Sequence, residues 1–249
     1  MPGISIQSEY VLSVFGFLIT NTFFTTLVAS LLLMGLAWYY HVHRRESENS
    51  NVLLKGWHII VMELLRLADT VTQSRALSKR VLPLIATLFL FIFTTNLIAL
   101  LPGFLGSFYV ATDAGEVSLF RSPNSDLTTT LALAIVTVFS IQWFAVKASG
   151  WQGYLKHFFN FSGIIPFILG LFEAMSESMR ILSFSFRLFG NVFAGEVLLI
   201  VIAFLVPYIL PVPFMVLEFF ISLIQAYIFC VLALTFVRLS TEHLPTERG

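Results

Sequence analysis

The chain has 249 residues, 57% of them hydrophobic and only 11% charged, with Lys+Arg and Asp+Glu balanced at 14 each. A water-soluble domain carries about 25% charged residues, so this composition excludes a soluble enzyme, and zero net charge gives no footprint for nucleic acid. The single cysteine, Cys230, excludes an internal disulfide and reads as a small apolar filler.

Val11 to Tyr40 contains no Asp, Glu, Lys or Arg. A helix needs about 20 apolar residues to cross a bilayer, so residues 11–40 are expected to be the first span. It ends on Trp38, Tyr39 and Tyr40, residues suited to the aromatic belt of a membrane interface. His41-Val-His43-Arg44-Arg45-Glu46 follows, and reads as a solvated hinge rather than a metal site. Residues 52–76 mix apolar Leu53, Leu54, Trp57, Ile60, Val61, Leu64 and Leu65 with Lys55, His58, Glu63, Arg66 and Asp69. Helical spacing puts much of the apolar set on one side, which predicts an amphipathic helix lying on the membrane surface.

A basic patch, Arg75, Lys79 and Arg80, precedes an uncharged second span over 81–101 that stops at Pro102-Gly103. The loop to Asp126 carries Asp113, Glu116 and Arg121. Residues 127–147 form the third span and 147–157 a polar, basic loop. Two helices follow, over 161–206 and 212–240, separated by a turn at Pro207, Pro211 and Pro213. No internal repeat is present. The fold class expected is an all-α polytopic membrane protein forming a single domain over 1–249. It has five spans, one surface helix and a long, steeply tilted helical hairpin at the C-terminal end.

Lys and Arg favour cytoplasmic loops. Arg44, Arg45, Arg75, Lys79, Arg80, Lys147, Lys156 and Arg238 would lie inside and the acidic 102–126 loop outside. Five crossings satisfy this with the N-terminus outside and the C-terminus inside. The segment to Val206 is longer than a span. A continuous helix of that length measures about 70 Å against a hydrocarbon core of about 30 Å. It must tilt steeply, bend, or break near Gly170 or Gly190.

Arg187 lies in the middle of this segment. Guanidinium stays protonated in proteins, and a charge at such depth costs at least ~2.5 kcal/mol on insertion scales. Intramembrane charges of this kind mark ion or proton paths. At about 100° per residue, Glu173, Ser176, Arg180, Ser183 and Asn191 fall within about 40° of Arg187, while Glu196 points to the opposite side. On the last helix Glu218, Ser222 and Gln225 share one face by their i, i+4, i+7 spacing. Two polar tracks result. One holds Arg187 and runs toward the N-terminal end of the long helix; the other holds Glu196 and Glu218. Asn96 and Ser222 taken singly read as interhelical glue, and Glu173, Glu177 and Arg180 also fit an ion-pair cluster near an interface. No carboxylate of its own stretch shares the face of Arg187, which suggests a counter-charge from another chain.

The run SFSFRLFGNVFAGE from Ser183 to Glu196 resembles subunit a of the rotary F-type ATP synthase. The resemblance extends to TTNLIALLPG at 94–103, PNSDLTTT at 123–130, Glu173, and IQAYIF at 224–229, whereas residues 1–80 match mainly in pattern. It implies a proton-translocating stator without a catalytic site of its own. Its partners would be a ring of c subunits, b-type peripheral stalk subunits, the soluble ATPase head and the lipid bilayer, with no cofactor and no metal. Arg187 matches the family's essential arginine. Glu196, Glu218, Asn191 and Gln225 match the outer half-channel or its border with the ring. Glu173 and Ser176 match the inner half-channel, and Arg180 stands where some relatives have Lys. Position 218 is His in some members, so Glu here excludes a histidine relay. A bacterial plasma membrane is the expected location, with an organellar inner or thylakoid membrane as alternatives.

Three rival readings make distinct demands. A self-contained transporter would show internal repeats. An intramembrane hydrolase would need a nucleophile and base or metal ligands within the spans, yet all five histidines lie near loops or ends. A purely structural subunit leaves the Arg187 stripe without a role.

Overall fold

The first helix begins where a side chain caps it. The hydroxyl of Thr20 accepts from the Phe23 amide at 3.3 Å, which satisfies one of the free N–H groups of the first turn. Helix α1 therefore runs over Asn21–His43. The apolar residues before it pair instead as an antiparallel hairpin of β1 (Tyr10–Val14) and β2 (Phe17–Thr20). Residues 11–14 and 17–20, expected at the head of the first span, thus lie in strands rather than in the helix. Apolar content alone does not locate a cap. The computed structural model describes residues 10–14, 17–43, 52–101, 109–112, 115–158, 163–207 and 209–242. The Arg44–Glu46 hinge, the Pro102-Gly103 stop and Asp113 fall outside the described residues.

Helix α2 (Val52–Thr72) and helix α3 (Arg75–Ile98) are separated only by Gln73, which takes a left-handed φ of 53°, and Ser74. The basic patch Arg75, Lys79 and Arg80 is the first part of α3. Leu64, Leu65, Ala68 and Thr72 of α2 are buried while Ile59 and Ile60 are exposed. A second hairpin, β3 (Tyr109–Thr112) with β4 (Gly115–Ser118), and a 3-10 turn at Pro123–Ser125 precede helix α4 (Leu127–Phe158). Gly150, at φ 76°, kinks α4 past its membrane-length part, a backbone angle for which glycine is suited.

Helix α5 (Ile164–Leu205) has 42 residues without a break. Neither Gly170 nor Gly190 interrupts it. At 1.5 Å per residue it is about 63 Å long, so it cannot stand upright in an apolar layer of about 30 Å. Helix α6 (Pro211–Glu242) follows. Prolines are tolerated in a first turn, where their missing N–H is not needed, and Pro211 and Pro213 occupy that position. The fold is helical, and α1, α3, α4, α5 and α6 are each long and apolar enough to cross a membrane.

The core lies between α3, α4, α5 and α6, centred on Ile85, Ile92, Ile141, Phe184, Leu188, Phe229 and Leu234. Ala226, Cys230 and Ala233 form a fully buried stripe of small side chains on α6. Such residues let helices approach closely where lipid supplies no hydrophobic drive. Thr130 and Ser185 share a hydrogen bond of 3.2 Å across α4 and α5.

Candidate functional site

Ala194, Leu198, Val201 and Leu205 are spaced to fall on the same face as Arg187, and Leu198, Val201 and Leu205 are exposed. Arg187 is half-buried. Its guanidinium donates to the Ser183 hydroxyl at 3.3 Å, one turn earlier. Among the described residues no carboxylate lies within ion-pair reach of it. Among the described residues the cation therefore has only a hydroxyl of its own helix as a hydrogen-bond partner, where the polar stripe of α5 gives way to exposed apolar residues.

One turn beyond Arg187, Asn191 donates its amide to the Gln225 side-chain carbonyl at 2.7 Å, which ties α5 to α6. Both residues line a cleft of about 370 Å³ between these helices, together with Gly195 and Glu218. The carboxylate of Glu218 lies directly against Gly195, with Oε1 2.6 Å from where a Cβ would stand. Any side chain at 195 would occupy the same space. Ser222 Oγ and Gln225 Nε2 are buried without a hydrogen-bond partner among the described residues. Buried polar atoms of this kind are normally satisfied by water, so the cleft is chemically suited to hydration.

Glu196 points the other way, as the helical angle predicted, and meets Arg121 at 3.0 Å. Arg121 is 9% exposed and Glu196 29%. The loop that delivers Arg121 is pinned from several sides. Its amide donates to Thr25 Oγ1 of α1 at 3.2 Å and its Nε to Ser125 Oγ at 3.3 Å. Ser122 Oγ donates to Asn96 Oδ1 at 2.8 Å. Asn124 Nδ2 reaches Asn96 Oδ1 and Thr95 Oγ1 at 2.8 and 2.9 Å. Asn96 is thus one member of a buried polar network, more than a single interhelical bond. Asn96 Nδ2 and Asn124 Oδ1 have no hydrogen-bond partner there among the described residues.

The residues assigned to the inner track divide. Arg180 is ion-paired with Glu177 and stands 3.7 Å from Glu173. Its guanidinium also stacks over the Phe236 ring at 4.7 Å. Glu173, Glu177 and Arg180 thus form one ion-paired charge cluster. Ser176 is exposed and makes no side-chain hydrogen bond among the described residues. At that end of the bundle Arg238 holds the α2–α3 turn through the Val71 carbonyl at 3.1 Å and Gln73 Oε1 at 3.0 Å.

Arg121 and Gly195 carry no signal of their role in the sequence. The available hint for Arg121 was a lone cation in an otherwise acidic loop. Gly195 stood in the quoted motif, but its reason, a carboxylate lying on its Cα, comes from a helix beyond the proline turn.

The family model described as ATP synthase A chain matches residues 11–238. The chain is similar to ATP synthase subunit a of Legionella pneumophila strain Paris, 30% identical over 234 residues, 92% of this chain and 90% of that one. It is also similar to ATP synthase subunit a 1 of Chlorobaculum parvum, 32% identical over 239 residues and 95% of each chain. A third relative, ATP synthase subunit a 1 of Syntrophotalea carbinolica, is 34% identical over 227 residues, 90% of this chain and 86% of that one.

Proposed function

This chain belongs to the ATP synthase A chain family, and from that premise we propose that it is the stator of the membrane motor, passing protons through two offset inlets and across a turning ring of c subunits. Subunit a is a membrane subunit of the rotary complex and not a catalytic subunit by itself. The observation that carries the proposal is Arg187: a half-buried cation at the end of a polar stripe on α5, hydrogen-bonded to Ser183 Oγ and with no carboxylate in ion-pair reach among the described residues. A permanent charge in that setting needs a counter-charge, and a moving carboxylate on each ring subunit supplies one.

Protons enter from outside through the hydrated region of Glu196, Glu218, Asn191 and Gln225 and neutralise a ring carboxylate. The neutral group turns into lipid at little electrostatic cost. After nearly a full revolution it meets the inner track, with Ser176 and Glu173 toward the inner surface and Arg180 held between Glu173 and Glu177. A guanidinium within about 4–6 Å favours the ionised carboxylate, so the proton leaves inward. Arg187, always cationic, also repels a proton hopping directly between the inlets. The hydrogen bond between Asn191 and Gln225 sits one helical turn from Arg187 and fixes the outer border of this barrier.

The charge distribution supports an orientation with the N-terminus outside. Arg75, Lys79 and Arg80 begin α3, Lys147 ends the membrane-length part of α4, and Arg238 near the end of α6 grips the α2–α3 turn. These cations share one end of the bundle, which fits the cytoplasmic surface. The bacterial sources of the relatives favour a bacterial plasma membrane. The b-type stalk and the ATPase head complete the assembly in this reading.

Cysteine cross-linking in membranes tests the ring contact. Cysteines at Ser183 and Leu198, both on the Arg187 face, should cross-link to a ring helix at and beyond the depth of its carboxylate. Labelling of these positions by lipid-phase reagents alone, with no ring adduct, would remove the stator reading. A second expectation concerns Gly195. In Gly195→Ala the new methyl takes the space of the Glu218 carboxylate. The displaced group is the far end of a flexible chain, so thermal unfolding should barely move while proton flux falls several-fold. Adding Glu218→Asp, shorter by one methylene, should recover part of the flux. Equal flux in Gly195→Ala and the parent would show that the position of this carboxylate is immaterial.

A further inference from the structure

The inner end of the bundle holds a cleft of about 460 Å³ that the proton path does not use. Leu77 and Arg80 of α3, Trp143, Phe144 and Lys147 of α4, and Thr241 of α6 line it. Its floor is apolar, because Leu77 and Phe144 pack against the core. Arg80 and Lys147 make its rim cationic, and among the described residues no carboxylate lines it. Arg66, Arg75, Arg121 and Arg180 each have an acidic partner, whereas Arg80 and Lys147 have none within ion-pair reach among the described residues. Lys147 Nζ stands 5.2 Å from the Trp143 ring centroid, and Trp143 is 61% exposed.

The depth of these groups matches a lipid phosphate. Lys147 lies in the last turn of the α4 span, Leu127–Ala148. Arg80 is about 8 Å along α3 from Arg75 at helical rise. An exposed tryptophan beside a lysine at this level is an interfacial arrangement, and basic clefts between membrane helices on the inner side suit anionic head groups.

We infer that this cleft binds an anionic phospholipid of the inner leaflet, with its phosphate between Arg80 and Lys147 and an acyl chain along Leu77 and Phe144. A zwitterionic lipid brings its own cation to a rim that already has two. A soluble anion would satisfy the rim and leave the apolar floor uncovered. The bound lipid would bridge α3, α4 and α6 and brace the stator where the ring's torque must be resisted. This inference rests on the inner-side orientation proposed above and not on the proton-path residues, so it stands or falls separately from them.

The test uses the intact membrane sector, purified in mild detergent, stripped of lipid and given phosphatidylglycerol or phosphatidylcholine. Bound lipid is read by native mass spectrometry, and its position by a phosphatidylglycerol bearing a photoreactive acyl chain. The parent should retain phosphatidylglycerol selectively and label the peptide around Trp143. Arg80→Gln with Lys147→Gln should weaken retention roughly thirtyfold, the combined effect of two basic residues beside an anionic lipid. Arg80→Lys with Lys147→Arg should keep it. Unchanged retention in the double glutamine variant overturns the inference, as does equal retention of phosphatidylcholine. A cross-link from a photoreactive group at Trp143 to a neighbouring subunit's helix, with no lipid adduct, overturns it in favour of a protein interface.

Discussion

Replacing Arg187 with alanine should abolish ring-coupled proton transport and ATP synthesis in a chain that still folds and assembles. Arg187 has no carboxylate partner among the described residues, so its removal leaves no acidic group of its own chain unpaired. Its hydrogen bond to Ser183 is long and exposed, and surface changes of this kind usually move stability within about 0.5 kcal/mol. Function is affected far more. An opposite charge near a carboxylate is worth roughly ten- to a thousandfold in its ionised fraction, so in the proposed mechanism, without the cation, the ring would have no site where a proton is forced off, and the two proposed inlets would lose the barrier between them. Arg187→Lys should fail largely as well, because an ammonium can lose its proton when desolvated and lacks the planar fork. Vesicles containing the whole complex give the readout: ATP-driven acidification, ATP synthesis under an imposed gradient, and passive proton leak. Coupled transport at the parent rate in Arg187→Ala would refute the motor reading.

Arg121→Gln should have the largest effect on stability of any single substitution at the outer end. It removes an ion-pair partner of a carboxylate that is 29% exposed, and loss of one member of a buried ion pair costs about 3–5 kcal/mol, with the lower end fitting this partly exposed acid. The expected outcome is a lower yield of assembled complex and an earlier thermal transition. Glu196→Gln is milder, because the amide oxygen still accepts from Arg121. That variant should assemble and show reduced proton rate. The double change Arg121→Met with Glu196→Leu separates structure from conduction. Replacing both charges with apolar groups is often neutral for stability, so assembly should return while flux stays low. A double variant with parent flux would show that Glu196 serves only to hold the loop.

Several of these features are legible before any fold is known. Arg187 stands out because a charge inside an apolar run is costly wherever it points, a statement about composition and depth alone. The opposed directions of Arg187 and Glu196 follow from helical periodicity, and α5 is continuous enough for that period to hold across both. The spans after the first follow from apolar length. The start of α1 does not, because it depends on a Thr20 hydroxyl and not on hydrophobicity.

What the sequence by itself determined is therefore what a single helix can express: which segments enter lipid, where a charge is stranded, and which residues share a face. Tertiary structure alone decided who meets whom. Arg121 finds Glu196 because Thr25, Asn96 and Ser125 hold its loop against α5. Glu218 finds Gly195 across the proline turn, and Arg80 shares a cleft with Lys147 because the first turns of α3 lie beside the end of the membrane-length part of α4. The physical reason is that periodicity fixes an angle about one axis, whereas a pair requires the offset and rotation of two axes. Those are set by packing of the whole bundle, here by the core around Ile85, Phe184 and Phe229.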